Sequence, residues 1–184
     1  MNRFVASTQH LFDHHGTAYD RITRPLTLGL YRRVVADAAG TVPRGGTVLD
    51  VGAGPGRLAI ALATHRPDLT VHAVDIAPDM VRVARENVAR AGLTGRVHVE
   101  HTDGAALPLP DGGVDLVVST ASFHHWADVP AVVRELRRVV SPSGRVWLYD
   151  FRRAPWQNLT GALGAPVVPV RSGLLFSRAE FRAG

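Results

Sequence analysis

A short apolar run passes directly into a glycine-rich turn in the segment Val48-Leu49-Asp50-Val51-Gly52-Ala53-Gly54-Pro55-Gly56. The apolar run predicts a buried strand over residues 47–51, and the stretch that follows predicts a helix over residues 57–64. Glycines between a strand and a helix let the backbone turn sharply and approach a ligand closely. A tight turn without a ligand is the plainer interpretation, because a single glycine motif is weak evidence.

Outward from this turn, short apolar runs alternate with helix-like stretches. The pattern predicts further strands at residues 70–74, 97–101, 114–119 and 145–149, and further helices at 78–91 and 130–140. In the helix over 78–91, Met80, Ala84 and Val88 recur on one face. This β-α-β alternation predicts a three-layer, Rossmann-like, doubly wound α/β fold, with parallel strands in the order 3-2-1-4-5.

The composition is that of a single globular domain. The chain has 184 residues, of which 46% are hydrophobic, so it can bury one core but not two ordinary ones. It has no cysteine, which excludes disulfides, thiolate metal sites and cysteine nucleophiles. No apolar run approaches the ~18 residues of a membrane helix, and residues 1–15 lack the apolar core of a signal peptide. We therefore expect a cytoplasmic protein with no membrane partner.

Positive charge is dispersed along the chain. All 21 basic residues are arginine, and the formal net charge is +5. The arginines form only short pairs, such as Arg32-Arg33 and Arg152-Arg153, without a long basic block or an interleaved aromatic platform. We interpret them as solvated surface charge and expect no nucleic-acid partner.

A carboxylate follows the second predicted strand. Asp75 lies about twenty residues beyond the glycines, where a carboxylate suits hydrogen bonds from both hydroxyls of a ribose. NAD and S-adenosylmethionine both contain a ribose. The dinucleotide fingerprint needs a third glycine where Arg57 stands, and Pro55 removes an N–H group that would hold a pyrophosphate. S-adenosylmethionine has no phosphate, so it is the favoured cofactor, and a nicotinamide-dependent oxidoreductase remains the alternative.

Five segments in order resemble the motifs of class I S-adenosylmethionine-dependent methyltransferases, and more narrowly the group typified by ubiquinone/menaquinone biosynthesis methyltransferases. They are residues 48–56, residues 71–76 with Met80, residues 103–109, Phe123-His124-His125-Trp126, and residues 136–144. The resemblance covers about residues 10–150 and implies methyl transfer to a small-molecule acceptor that the motifs do not identify. A non-catalytic cofactor-binding protein of the same fold is a further alternative.

The resemblance also implies a set of cofactor-binding residues. The residues expected at the methionine end are Asp50, Gly52, Gly54, and Ser119 or Thr120, and Tyr19 and Ala53 are also expected to bind the cofactor. Those expected at the adenosine end are Asp75, Ile76, Met80, Asp103 and Gly104. In this scheme Asp75 holds the ribose, Ile76 and Met80 cover the adenine, and Asp103 accepts from the adenine amino group. Simple core packing is the alternative for Ile76 and Met80, and a surface aromatic packing the lid is the alternative for Tyr19.

Histidines are the weak candidates for catalysis. His124 and His125 lie near the expected methyl-transfer site and could contact the acceptor or act as a base. A sulfonium methyl group is already activated, so proximity and orientation could suffice and the catalytic residue is left open. Asp150 ends the fifth strand, where it faces either the substrate or a turn. His10 and His14 have a spacing that could bind metal on a helix, but we interpret them as an exposed helix start and predict no metal.

The flanks depart from the resemblance. Residues 1–43 are predicted to form a helical lid segment, residues 44–151 the core, and residues 152–184 an irregular tail whose helix covers residues 177–181. The sixth and seventh strands usual in such folds are therefore expected to be missing or incomplete. A bare edge on the fifth strand would invite pairing with another chain, so a homodimer through that edge is expected to be possible. Ala77 stands where the resemblance implies a serine cap, which weakens that helix start by ~1 kcal/mol.

Overall fold

The computed structural model describes the backbone of residues 16–183 and the side chains of residues 28–183. Within that range one sheet has seven strands in the order β3-β2-β1-β4-β5-β7-β6. The strands are β1 Thr47–Val51, β2 Thr70–Asp75, β3 Val97–His101, β4 Val114–Thr120, β5 Val140–Phe151, β6 Val170–Arg171 and β7 Phe176–Phe181. The first five are parallel, as predicted, whereas β7 runs antiparallel to β5 and β6 antiparallel to β7.

Helices cover both faces of the sheet. They are α1 Gly16–Ala39, α2 Arg57–His65, α3 Pro78–Arg90, α4 Val129–Val139 and α5 Trp156–Leu163. One core lies under α1, α2 and α3, where Leu30 and Val34 of α1, four residues apart, are buried. The other core lies under α4 and α5. These two cores confirm the three-layer, doubly wound arrangement. None of the described helices is long and apolar enough to cross a membrane.

The prediction that the sixth and seventh strands are missing is wrong. Residues 177–181, which were expected to be helical, belong to β7, and β7 pairs with β5 from Val146↔Phe181 to Phe151↔Phe176. Burial alternates along β7: Ser177 and Ala179 are buried, whereas Glu180 is exposed. That period of two is the period of a strand. The tail therefore completes the sheet, and the β5 edge is saturated by backbone hydrogen bonds.

The covered edge removes the reason for expecting a homodimer there. The strands at the two ends of the sheet are β3 and the two-residue β6. A strand as short as β6 presents few unpaired backbone groups to another chain.

Candidate active site

The carboxyl ends of the parallel strands bring the predicted site residues to one edge of the sheet. The register aligns Val51 of β1 with Val74 of β2, and Asp50 of β1 with Val118 of β4. It also aligns Thr120 of β4 with Tyr149 of β5. Residues that immediately follow these strands are therefore neighbours, in the crevice where open α/β sheets bind ligands.

The turn after β1 is built on glycines with positive φ. Gly52, Gly54 and Gly56 have φ angles of 70°, 53° and 75°, which side chains with a Cβ adopt only at a cost. A Cβ on Gly52 would lie 1.9 Å from the Oγ of Ser122, so the turn packs directly against the loop that follows β4. A Cβ on Gly54 would meet nothing within 4 Å, which leaves open space beside the turn. Ala53, the predicted residue between them, donates its N–H to the Val74 carbonyl at 3.0 Å.

The Asp75 carboxylate ties this turn to the end of β2. One oxygen accepts the Gly54 N–H at 2.7 Å, and the other accepts the Ala77 N–H at 2.9 Å. The second bond satisfies a backbone donor at the start of α3, where Ala77 has no side-chain cap, as expected. Burial raises the pKa of Asp75, and these two bonds oppose the rise. An ionised carboxylate offers about four acceptor positions, so Asp75 retains capacity for two ligand hydroxyls.

The two predicted adenine-covering residues differ in position. Ile76 is 65% exposed at the end of β2, so core packing does not account for it. Met80 is only 2% exposed and lies in the interior. The burial of Met80 favours the core-packing alternative for that residue, whereas Ile76 has exposed surface with which it could cover a ligand.

The loop after β3 reaches the same edge. A Cβ on Gly104 would lie 3.3 Å from Val51 and 3.4 Å from Val132, so the loop packs on the end of β1. Asp103 is exposed, and its Oδ1 accepts the Ala105 N–H at 3.0 Å. This bond fixes the carboxylate near the turn while most of its surface remains accessible.

Two buried polar groups at this edge lack hydrogen-bond partners among the described residues. They are the carboxylate of Asp50 and the hydroxyl of Ser119, on the adjacent strands β1 and β4. Burial, and secondarily the charge of Asp75, raise the pKa of Asp50 to about 7. Asp50 is wholly buried, so it offers no surface for direct contact with a ligand at this edge. Thr120, 8% exposed, follows Ser119 on β4.

A histidine and a buried aspartate form a pair that the sequence analysis did not join. Nδ1 of His124 lies 2.8 Å from Oδ1 of Asp150, whose side chain is wholly buried. Asp150 also accepts the backbone N–H groups of His124 at 2.9 Å and Phe151 at 2.7 Å. An ionised carboxylate only accepts, so the contact assigns the proton to Nδ1 and leaves the Nε2 lone pair available. The predicted strand order already placed β4 beside β5, and that signal could have brought the two residues together.

His125 has a different environment. Its ring centroid lies 3.9 Å from that of His124. Burial, and secondarily the neighbouring His124, lower the pKa of His125 to about 4. His125 is therefore neutral at physiological pH, and its ring contributes shape and not charge to the site.

Some predicted residues lie outside the described side chains. Tyr19 falls within α1, but nothing is described of its side chain, and His10 and His14 precede the described backbone. Among residues 28–183, no cluster of three or more His, Asp, Glu or Cys side chains could hold a metal ion.

Residues 48–144 match a family model described as a methyltransferase domain. The match covers more than half of the chain, and it contains the glycine turn, Asp75, Asp103 and the β4 end. The chain therefore belongs to this methyltransferase family.

Named relatives differ in their acceptors. The chain is 34% identical over 149 residues to a demethylmenaquinone methyltransferase of Thermus thermophilus, an alignment that covers 79% of this chain and 66% of the relative. It is 36% identical over 125 residues to a 27-O-demethylrifamycin SV methyltransferase of Amycolatopsis mediterranei, with 67% and 46% covered. The chain thus spans two thirds or less of the length of these relatives.

A solved structure from Methanococcus maripaludis, described as a candidate S-adenosyl-L-methionine-dependent methyltransferase, superposes on this chain with a TM-score of 0.80. The sequence identity is 22%, and the superposition covers 93% of each chain. At this identity the likeness establishes the fold alone.

Proposed function

We propose that the protein transfers a methyl group from S-adenosylmethionine to a small organic acceptor whose nucleophilic atom carries a proton. The observation that carries the cofactor assignment is the hydrogen bond between the Gly54 N–H and the Asp75 carboxylate. It joins a glycine turn with open space beside it to an acceptor-rich carboxylate at the end of the next strand. Membership of the methyltransferase family supports the same cofactor assignment.

The residues at the strand ends fit the two halves of this cofactor. Asp75 would accept the ribose hydroxyls, and the exposed Ile76 would cover a face of the adenine. Asp103 would accept from the adenine amino group. At the other half, the buried charge of Asp50 favours the cationic methionine portion, and the partnerless Ser119 hydroxyl could bond to it. S-adenosylmethionine supplies an electrophilic methyl group on a sulfonium when bound.

His124 is the residue we assign to proton transfer. Asp150 holds its Nδ1, so the lone pair of Nε2 is directed away from the carboxylate. The His124 side chain is 26% exposed, which leaves it accessible to an acceptor at the strand ends. During transfer of the methyl group, Nε2 would take the acceptor's proton, and Asp150 would stabilise the resulting imidazolium. General-base catalysis of this kind contributes roughly 10²–10⁴-fold.

A small-molecule acceptor is part of the proposal. The relatives carry the names of a demethylmenaquinone and a demethylrifamycin methyltransferase, so the same core accompanies different organic acceptors. The dispersed arginines of this chain form no long basic block that would favour a nucleic acid.

Calorimetric titration with S-adenosylhomocysteine and with NAD tests the cofactor assignment. We expect binding of the first and none of the second, because Arg57 begins α2 where a dinucleotide site needs glycine. Binding of NAD alone would favour the oxidoreductase alternative. Transfer of a labelled methyl group to a panel of phenolic and alcoholic acceptors tests the reaction. Cofactor binding without transfer to any acceptor would favour the non-catalytic alternative.

A further inference from the structure

An exposed apolar cluster lies outside the residues assigned to the cofactor. Seven large hydrophobic side chains are exposed in residues 28–183, and four of them belong to the segment around β6 and the start of β7. Their exposed fractions are 83% for Val168, 65% for Val170, 74% for Leu174 and 44% for Leu175. We call these four residues the β6–β7 tip. Such a concentration is unusual because exposed hydrophobic residues are normally scattered singly.

The strand directions place the hairpin end of this tip, with Leu174 and Leu175, at the edge of the sheet that holds the candidate active site, whereas Val170 pairs with Arg178 further back along the sheet. Since β7 is antiparallel to β5, the start of β7 lies at the carboxyl end of β5. The Arg152 N–H donates to the Leu175 carbonyl at 3.0 Å, which fixes the tip beside the end of β5. There the ring of Phe151 stacks on Phe176 at 5.1 Å and contacts His124 at 5.4 Å. The tip is therefore continuous with the acceptor side of the site.

The charge around the tip has one sign. Arg152, Arg153 and Arg171 are exposed and flank the aliphatic residues. Residues 151–179 contain no aspartate and no glutamate. A symmetric contact between two copies through this surface would bring their arginines together, which electrostatic repulsion opposes. An occupant that is apolar inside and negatively charged at its surface matches both features.

We infer that the β6–β7 tip docks on an anionic lipid surface, with Leu174 and Leu175 entering the boundary between headgroups and acyl chains and the flanking arginines facing the headgroups. Arginines near an anionic membrane are attracted to it over about a Debye length, and burial of apolar side chains at the boundary adds to this attraction. The sequence predicted no membrane partner because it contains no continuous apolar run of membrane-helix length. Here the apolar residues are few, and the hairpin brings them together. The inference does not depend on methyl transfer.

Co-sedimentation with vesicles tests the inference on the full chain without cofactor. Vesicles of phosphatidylcholine with phosphatidylglycerol are compared with vesicles of phosphatidylcholine alone. We expect the unmodified protein to bind the anionic vesicles and to be released by high salt, since the attraction is screened. The variant Leu174→Ser should weaken binding by about tenfold, because the lost burial of a leucine is on that scale. The double variant R152Q/R153Q should weaken it by roughly tenfold to thirtyfold.

Matched control variants distinguish vesicle binding through this surface from nonspecific adsorption. Leu28→Ser removes an exposed leucine from α1, and R44Q/R134Q removes two exposed arginines from other surfaces. Both controls should bind as the unmodified protein does. Equal losses in the control variants, or no binding of the unmodified protein to anionic vesicles, would overturn the inference. A dimer in solution that Leu174→Ser converts to a monomer would also overturn it, because the occupant would then be a second copy.

Discussion

The carboxylate of Asp150, wholly buried at the end of β5, lies 2.8 Å from Nδ1 of His124. The pair joins the end of β5 to the turn that follows the neighbouring strand β4. The same carboxylate accepts the backbone N–H groups of His124 and Phe151, so its position does not depend on the imidazole alone.

Replacing His124 should slow methyl transfer without weakening cofactor binding. We expect His124→Gln to lower kcat by roughly 10²–10⁴-fold, because the acceptor proton loses its base. Asp150→Asn should lower kcat in the same direction by disturbing the tautomer. Steady-state kinetics and titration with S-adenosylhomocysteine measure the two effects separately. His98→Gln, at an exposed position on β3, is the control and should leave kcat unchanged. An unchanged kcat in His124→Gln would contradict the base assignment and would favour catalysis by proximity and orientation alone.

The buried carboxyl of Asp50 should make stability depend on pH. Its pKa is raised from 3.8 to about 7, so between those values this group holds a proton in the folded protein that it has lost in the unfolded chain. The contribution of Asp50 to the free energy of unfolding should therefore fall as pH rises from about 4 to about 7, whereas the lowered pKa of His125 makes a contribution of opposite sign in part of that range. Asp50→Asn should remove the Asp50 contribution, so that the difference between the two proteins changes by up to about 4 kcal/mol across the window. Urea denaturation of both proteins across this pH range, without cofactor, measures the difference. Parallel slopes would contradict the assignment.

The open space beside Gly54 predicts a specific defect. Gly54→Ala should weaken S-adenosylhomocysteine binding by at least about tenfold, because a methyl group there occupies the space that the cofactor needs. Gly45→Ala is the matched control: Gly45 also has a positive φ, and a Cβ there would also meet nothing within 4 Å. It lies before β1, at the opposite edge of the sheet. Both variants should lose about 1–2 kcal/mol of stability from backbone strain, but only Gly54→Ala should lose affinity. Equal affinity in the two variants would place the cofactor elsewhere.

The parallel core was predictable from the sequence because apolar runs mark its central strands. The predicted bounds of β1 agree with the structure, and those of β3 agree although only Val97 of that strand is buried. β5 begins at Val140, where a helix was predicted to end, so it is longer than predicted. β7 could not be recognised in this way, because its buried positions include the small residues Ser177 and Ala179. The intervening Arg178 lies over the ring of Trp147 at 5.3 Å. Pairing with β5 and a cation–π contact stabilise β7, so its sequence does not need a clear alternation of apolar and polar residues.

The site residues also differ in how far the sequence alone could predict their positions. Met80 shares a helical face with Ala84 and Val88, so the periodicity that placed it on α3 already indicated burial. The resemblance assigned it to the adenine, but the packing of α3 on the sheet places it in the interior. The His124–Asp150 pair joins the turn after β4 to the end of β5, which are 26 residues apart in sequence. The strand order makes them neighbours, and only the three-dimensional structure gives their distance.

The most direct measurement for the cofactor site is the affinity of Asp75→Ala for S-adenosylhomocysteine, measured by calorimetry with circular dichroism to establish folding. Loss of the hydrogen bonds to the ribose should cost about 1.5–3 kcal/mol, or roughly ten- to a hundredfold in affinity. Asp115→Ala is the control, since that carboxylate also holds a backbone N–H, that of Thr47 at 2.8 Å, but at the opposite edge of the sheet. The account predicts a folded Asp75→Ala protein with weakened binding and an Asp115→Ala protein with unchanged affinity. A folded Asp75→Ala protein that binds as tightly as the unmodified one would contradict it.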